Sequence, residues 1–410
     1  MNMSERSRLS YGSIIIAGCF LIQAMGVGTY IAFGVFFKPL LGEFGWSRAT
    51  VAGASSLAFL LMGFLGILVG NLNDRFGPRI IMAVTGVLYG AGYFLLSQVN
   101  SVWQYYLAYG LVVGMGLSSI DVIPMTVITR WFVRRRGMMT GLVKVGTGAG
   151  QLVMPLTAGL LIQTYGWRHA SIILGVILCV FIVCTGQLLR RDPAQMGLLP
   201  DGGARPLQGR AGAPEGGLTA REALRTPQLW LFCLIAFVGM GCLLTVMLHI
   251  VPHASDIGLN PIKAAGVLST LGGMSMLGRL MTGIAIDRIG TRKSMILCFV
   301  VIFSGFLWLQ LAEKTWMLYL FAAVYGLAHG GFFTLLSPMV AELFGIKSHG
   351  VLIGIAFFCG NFGGAVGPVL AGHIFDIAHS YQPVFLIMAA VAVAGLILTA
   401  FLKPPLRDKA

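Results

Sequence analysis

The sequence predicts an all-α membrane protein with twelve transmembrane helices in two six-helix bundles. Three observations predict it. Hydrophobic residues make up 57% of the 410 residues, charged residues only 10%, and the mean hydropathy is +0.86, so the polar surface is too small to cover a soluble globule. Twelve apolar runs approach the ~20 residues that a helix rising 1.5 Å per residue needs to cross the hydrocarbon. The second half of the chain repeats the first at an offset of 213 residues.

The runs lie at 12–37, 47–70, 80–98, 103–130, 138–162, 169–189, 228–251, 263–284, 294–312, 316–341, 350–373 and 382–402. Backbone groups in lipid must be satisfied within the segment, and the alternation of a barrel strand is absent, so each run reads as a helix. The first continues from "SERSRLSYGSIIIAGCF" to Phe37 with no small-x-small cleavage pattern, which marks a span rather than a signal peptide. The second has Arg48 as its only charge before "GNLNDRFGPR" (Gly70 to Arg79). The fourth carries Asp121 and the fifth Lys144; at the helical rise these lie roughly 15 Å and 10 Å from the cytoplasmic ends of their spans, so their tips can meet. After the sixth, residues 190–227 turn rich in Gly, Pro and Arg and read as a cytoplasmic linker between an N-terminal bundle, 1–189, and a C-terminal bundle, 228–410. The seventh ends near Pro252, His253 and Asp256, the eighth holds Arg279, the tenth His329 and Phe333, and the eleventh Phe357, Phe358, Cys359 and Asn361.

The net charge of +14 follows membrane topology rather than a nucleic-acid partner. Of 28 Lys and Arg, five (Lys38, Arg48, Arg168, Lys263, Lys314) fall on one side and two (Lys144, Arg279) inside the membrane. The remaining 21 fall on the side of both termini, which is therefore the expected cytoplasmic side of a multi-pass protein of the cell's inner (plasma) membrane. All seven cysteines sit in apolar runs without CxxC spacing, so no disulfide, metal or cofactor is expected.

The repeat pairs Pro39 with Pro252, Glu43 with Asp256, Gly45 with Gly258 and Gly53 with Gly266. It also pairs Gly137, Gly141, Gly150, Pro155 and Gly159 with Gly350, Gly354, Gly363, Pro368 and Gly372, and "GNLNDRFGPR" with "GIAIDRIGTR" (Gly283 to Arg292). Two parallel six-helix repeats imply a carrier whose substrate site lies at the midplane between halves that rock about it. The motif glycines allow close helix approach, and Asp74, Arg75, Asp287 and Arg288 can pair or sit at helix termini, where the macrodipole favours their charge.

These residues resemble the major facilitator superfamily, whose loop motif reads Gly-x-x-x-Asp-Arg-x-Gly-x-Arg. The resemblance implies a conformational latch at Asp74, Arg75, Arg79, Asp287, Arg288 and Arg292. Three further stretches resemble the monocarboxylate transporter family and its bacterial relatives, the proton symporters of L-lactate and pyruvate: "YIAFGVFFKPLLGEFGWSRA", "WFVRRRGMMTGLVKVGTGAG" and "GRLMTGIAIDRIG". That family places an arginine eight residues before the loop Asp, and Arg279 is eight before Asp287. Three of its features are missing. Ser275 stands where animal members have an acid, Tyr30 to Gly34 lack a first-helix lysine, and Cys359 and Asn361 occupy the region where the oxalate/formate exchangers have a lysine.

Arg279 also argues for itself. Arginine at the bilayer centre costs ~2.5–3.5 kcal/mol on insertion scales and guanidinium does not shed its proton. Its repeat position is Gly66, so the shared scaffold does not explain it, and its planar fork fits a carboxylate. Asp121 is either a protonatable group or a structural neutraliser of Lys144. Asp256 is a second proton-coupling candidate, or shares an outer-loop role with Glu43. His329 either titrates or is a packed polar residue. Tyr30, Phe333, Phe357, Phe358 and Asn361 line the expected cavity or pack the helices.

The expected function is proton-coupled symport of a short monocarboxylate by alternating access, with Arg279 and Lys144 as binding cations. The expected partners are the substrate, protons and the lipid bilayer, and the expected state is a monomer. The alternative is an organic anion exchanger of the oxalate/formate type. An enzyme is not expected: HExxH, GxSxG and paired intramembrane carboxylates are all missing.

Overall fold

The computed structural model describes residues 3–46, 48–202, 217–259 and 261–403. The middle of the expected linker therefore lies outside the described residues, as do the side chains of Lys38 and Arg48 used in the topology argument.

Among the described residues fourteen α-helices follow one another: α1 (Met3–Phe44), α2 (Arg48–Phe76), α3 (Pro78–Leu96), α4 (Val102–Tyr105), α5 (Gly114–Leu117), α6 (Val122–Trp131), α7 (Arg136–Leu188), α8 (Ala220–Leu224), α9 (Pro227–Asp256), α10 (Pro261–Ile289), α11 (Thr291–Leu309), α12 (Thr315–Phe344), α13 (His349–Ala378) and α14 (Gln382–Phe401). They make the expected twelve spans. The fifth and sixth are both within α7, which breaks helical geometry at Gly166 (φ 77°), and the short α8 precedes the seventh.

The fourth span departs from the expected continuous helix. A π-helical stretch (Tyr106–Val113) separates α4 from α5, and a turn at 118–121 separates α5 from α6. Hydroxyls compete for the backbone there. Ser118 Oγ donates to the Met115 carbonyl at 2.6 Å, and Ser119 Oγ lies 2.7 Å from Thr85 Oγ1 on α3. The interruption places Asp121 at the start of α6.

The chain divides into two compact units, and each borrows a short piece across the sequence repeat. Unit one comprises residues 1–134, 142–216 and 346–355; unit two comprises 135–141, 217–345 and 356–410. In unit one, α2 and α3 pack on the fourth span, around the fully buried Tyr89, Tyr93, Tyr105 and Tyr109. Their hydroxyls tie helices together through backbone carbonyls: Tyr89 donates to Gly26 at 2.8 Å, Tyr93 to Thr29 at 3.0 Å and Tyr105 to Val51 at 2.8 Å. In unit two, α10 and α11 lie along α12, while α14 covers α9 and α11. Tyr325 donates to the Cys242 carbonyl at 3.1 Å.

Both copies of the loop motif spend their glycines in the same two ways. A Cβ on Gly70 would overlap the backbone of Gly350, and one on Gly283 would overlap that of Gly137. Gly77 (φ 84°, ψ 168°) and Gly290 (φ 88°, ψ 161°) turn the chain into α3 and α11 in a region open essentially to glycine alone. Gly77→Ala and Gly290→Ala should each lower stability by about 1–3 kcal/mol. Gly34→Ala, with open space at its Cβ on α1, should not. Thermal unfolding of the three purified variants checks this.

Candidate functional sites

Unit one contains a buried polar network where α1, the broken fourth span and α7 meet. Lys144 and Asp121 form an ion pair, their side chains 4% and 22% exposed. Gln23 donates through Nε2 to Asp121 Oδ1 and to the Ile120 carbonyl, both at 2.8 Å, and Thr147 Oγ1 donates to Gln23 Oε1 at 2.7 Å. The structure therefore joins the two expected charges and adds Gln23 and Thr147, which the sequence reading missed. Their signal was available: each is a polar side chain buried within an apolar run.

In unit two, Arg279 on α10 is 4% exposed. One turn earlier, Ser275 Oγ lies 3.2 Å from His329 Nδ1 on α12, and the ring of Phe333 sits 5.3 Å from that imidazole. His329 lies within electrostatic reach of Arg279, so three of the expected residues gather around one stretch of α10. Asn361 on α13 is buried, and its Nδ2 has no partner among the described residues. Phe357 is buried and Phe358 half-buried on the same helix. Tyr30 belongs to unit one, where its hydroxyl lies 3.3 Å from Ser55 Oγ, and its ring stacks on Phe59. Asp256 is exposed at the end of α9.

The motif carboxylates both sit at helix N-termini. In unit two, Asp287 accepts the backbone N–H groups of Gly137 at 2.8 Å and Met138 at 2.9 Å, at the start of α7. In unit one, Asp74 accepts from Arg130 Nη2 at 3.1 Å beside Gly350 at the start of α13, and its buried Oδ2 has no hydrogen-bond partner among the described residues. Gly137 and Gly350 are repeat partners. Asp287 thus meets amides that a helix leaves unpaired, at the positive end of the macrodipole, while Asp74 lies beside the matching helix start and takes its hydrogen bond from Arg130.

Arg130 is an addition of the first half. It donates to Asp74, lies 3.4 Å from Asp192, and donates to the Ile346 carbonyl at 3.0 Å. The second arginine of each motif caps helix carbonyls: Arg79 Nε donates to Leu189 at 3.1 Å, and Arg292 to Thr399 at 3.3 Å and to Ala400. Arg75 and Arg288 are exposed, so neither neighbours its motif carboxylate as a buried partner.

The other end of unit one is stapled by Glu43. Its carboxylate accepts from Arg168 at 2.7 Å and Trp167 Nε1 at 2.6 Å, while Arg168 also donates to the Ser97 and Val99 carbonyls at 2.6 and 3.1 Å. The repeat partner of Arg168 is Tyr381, so Asp256 has no matching arginine. The Arg168 and Trp167 donors hold the Glu43 carboxyl below its ordinary value of 4.5.

A membrane carrier of two related helical units, with a motif carboxylate beside a helix start in each, is the class that fold and sites define. The chain belongs to the Major Facilitator Superfamily, whose family profile matches residues 16–289 and 274–410. It is 27% identical to monocarboxylate transporter 4 of Rattus norvegicus over 395 residues, covering 95% of this chain and 82% of the relative. It is also 27% identical to human monocarboxylate transporter 11, covering 94% and 81%. A proton:xylose symporter shares the fold with a TM-score of 0.78 at 14% identity, covering 97% of both chains. The human organic anion transporter MFSD10 shares it at 0.74 and 15%, covering 95% of this chain and 99% of the other. The protein is a multi-pass membrane transporter and not an enzyme.

Two predictions follow from these geometries. Asp121→Asn leaves the Lys144 ammonium buried without its counter-ion and should cost about 3–5 kcal/mol, much of it restored by adding Lys144→Met; thermal unfolding of both variants reads this. Because the folded-state pKa of Glu43 is lowered, its contribution is full above the ordinary carboxylate value and is lost as pH falls through the folded one. The gap in melting temperature between wild type and Glu43→Gln should hold at neutral pH and close as pH falls below the ordinary value of 4.5 and through the lowered folded one.

Proposed function

We propose that the protein is a proton-coupled symporter of short monocarboxylates such as L-lactate or pyruvate, working by alternating access in the inner (plasma) membrane with both termini cytoplasmic. The observation that carries this reading is Arg279: a permanently charged guanidinium, 4% exposed, on a span whose repeat counterpart has glycine. A fork of N–H donors in a low-dielectric site pairs with a carboxylate bidentately. The relatives named monocarboxylate transporters, aligned over nearly the whole chain, support the substrate class.

Substrate charge explains the coupling. A monocarboxylate is an anion at neutral pH, and moving it inward against the membrane potential costs about 2.3 kcal/mol for every 100 mV. A co-transported proton removes that cost. Asp121 is the proposed proton carrier, with Asp256 the second candidate. Protonating Asp121 releases Lys144 from its ion pair, so the unit gains net positive charge when an anion is to be held, and loses it when the proton leaves. The motif carboxylates at the starts of α7 and α13 are the proposed latch. They hold one conformation until substrate and proton shift the balance between states.

The test is uptake of labelled lactate into proteoliposomes with and without an inward proton gradient. Wild type should accumulate lactate only with the gradient. Arg279→Gln should lose about 10- to 150-fold in uptake, the worth of about 1.5–3 kcal/mol for hydrogen bonds to a charged group. Rapid counterflow without any pH gradient would instead make the protein an anion exchanger.

A further inference from the structure

Beside the first motif, unit one has a recess of about 270 Å³ that the transport reading does not use, walled by Phe76, Arg79, Leu189, Arg190, Arg191 and Gln195. We propose that it binds the phosphate headgroup of an anionic phospholipid, whose acyl chain runs along α3.

The charge balance is the first argument. Arg79, Arg130, Arg190 and Arg191 gather here against two carboxylates, Asp74 and Asp192, both of which are engaged by Arg130. Among the described residues Arg79 uses Nε on the Leu189 carbonyl, and its terminal nitrogens are available to another acceptor. The Arg190 carbonyl accepts from Trp131 Nε1 at 2.9 Å, which fixes the backbone. Its own Nη1 is buried with no partner among the described residues. Arg191 Nε sits 3.4 Å from Asp192, a loose pairing for a carboxylate shared with Arg130. A buried guanidinium nitrogen without an acceptor is costly, and the planar fork matches phosphate oxygens.

Position is the second argument. Phe76 forms one wall of the recess and is 53% exposed; Ile80, Val84 and Val87 continue from it along one face of α3, at 58%, 53% and 50% exposure. These side chains have lipid as their natural solvent. A soluble anion would use the arginines and ignore the stripe, whereas a phospholipid uses both. The feature also breaks the repeat. Arg292 spends itself on the end of α14, and the positions matching Arg190 and Arg191 are Lys403 and Pro404, so the shared scaffold does not require it.

Native mass spectrometry of the delipidated protein titrated with phosphatidylglycerol or phosphatidylcholine tests the assignment. The Arg190→Gln/Arg191→Gln variant should bind phosphatidylglycerol about 25-fold more weakly, at about fivefold per basic residue. Phosphatidylcholine binding should not change. Arg221→Gln/Arg225→Gln, an exposed pair outside the recess lining, should match wild type with both lipids. Excess inorganic phosphate should leave the bound phosphatidylglycerol in place. A photoreactive phosphatidylglycerol on the wild-type protein should label 76–80 and 188–195, which keeps the test independent of how the variant folds. Unchanged affinity in the double variant, labelling confined to other segments, or displacement by phosphate alone overturns the proposal.

Discussion

A motif carboxylate placed beside the start of a helix is the constraint that both units share. Such an end leaves four N–H groups unsatisfied and carries about half a positive charge, both expensive near a membrane, where water is scarce. Asp287 answers this for α7 with two amide hydrogen bonds, and Asp74 brings its negative charge beside the start of α13 while Arg130 holds it. Neither arrangement works without the rest of its motif. Gly283 and Gly70 let the backbones close to contact, and Gly290 and Gly77 turn the chain back at once into the next span. The trailing arginine then closes the opposite kind of helix end, the carbonyl terminus of α7 or α14. Ten residues, used twice, thus tie helix starts and helix ends together.

The two copies do not carry equal loads. Asp287 meets two backbone amides directly, whereas Asp74 holds Arg130, which reaches Asp192 and the Ile346 carbonyl. The first half therefore has a charged cluster around its latch, continuing into Arg190 and Arg191, where the second-half carboxylate meets the amides of Gly137 and Met138. The asymmetry reverses deeper in the chain. The intramembrane charges of unit one, Lys144 and Asp121, neutralise each other, while Arg279 stands on a span whose counterpart bears Gly66. A duplication supplies the scaffold, and the differences between copies supply the chemistry. This is why the main proposed substrate and proton roles, at Arg279, Lys144 and Asp121, fall on residues without a repeat partner of like charge.

Much of the fold is legible in the sequence because membrane helices announce themselves locally. Hydropathy marks the spans, the 213-residue offset pairs them, and single charges such as Lys144 and Arg279 stand out because the surrounding composition makes them costly. The pairing of Lys144 with Asp121 was within reach from depth alone. The partners that Gln23 and Thr147 choose, the break at 118–121, and the choice of Arg130 rather than Arg75 to meet Asp74 were not. Each depends on how a helix is rotated against its neighbours, and hydropathy is silent about rotation.

The sequence by itself determined the number of spans, their pairing by duplication and the small set of residues too polar for their surroundings, because transfer into hydrocarbon is paid residue by residue. Only the tertiary structure decided which of those residues meet. Hydrogen bonds and ion pairs act over about 3 Å, so they depend on the facing of particular helices, a property of the packed chain that no stretch of it carries alone.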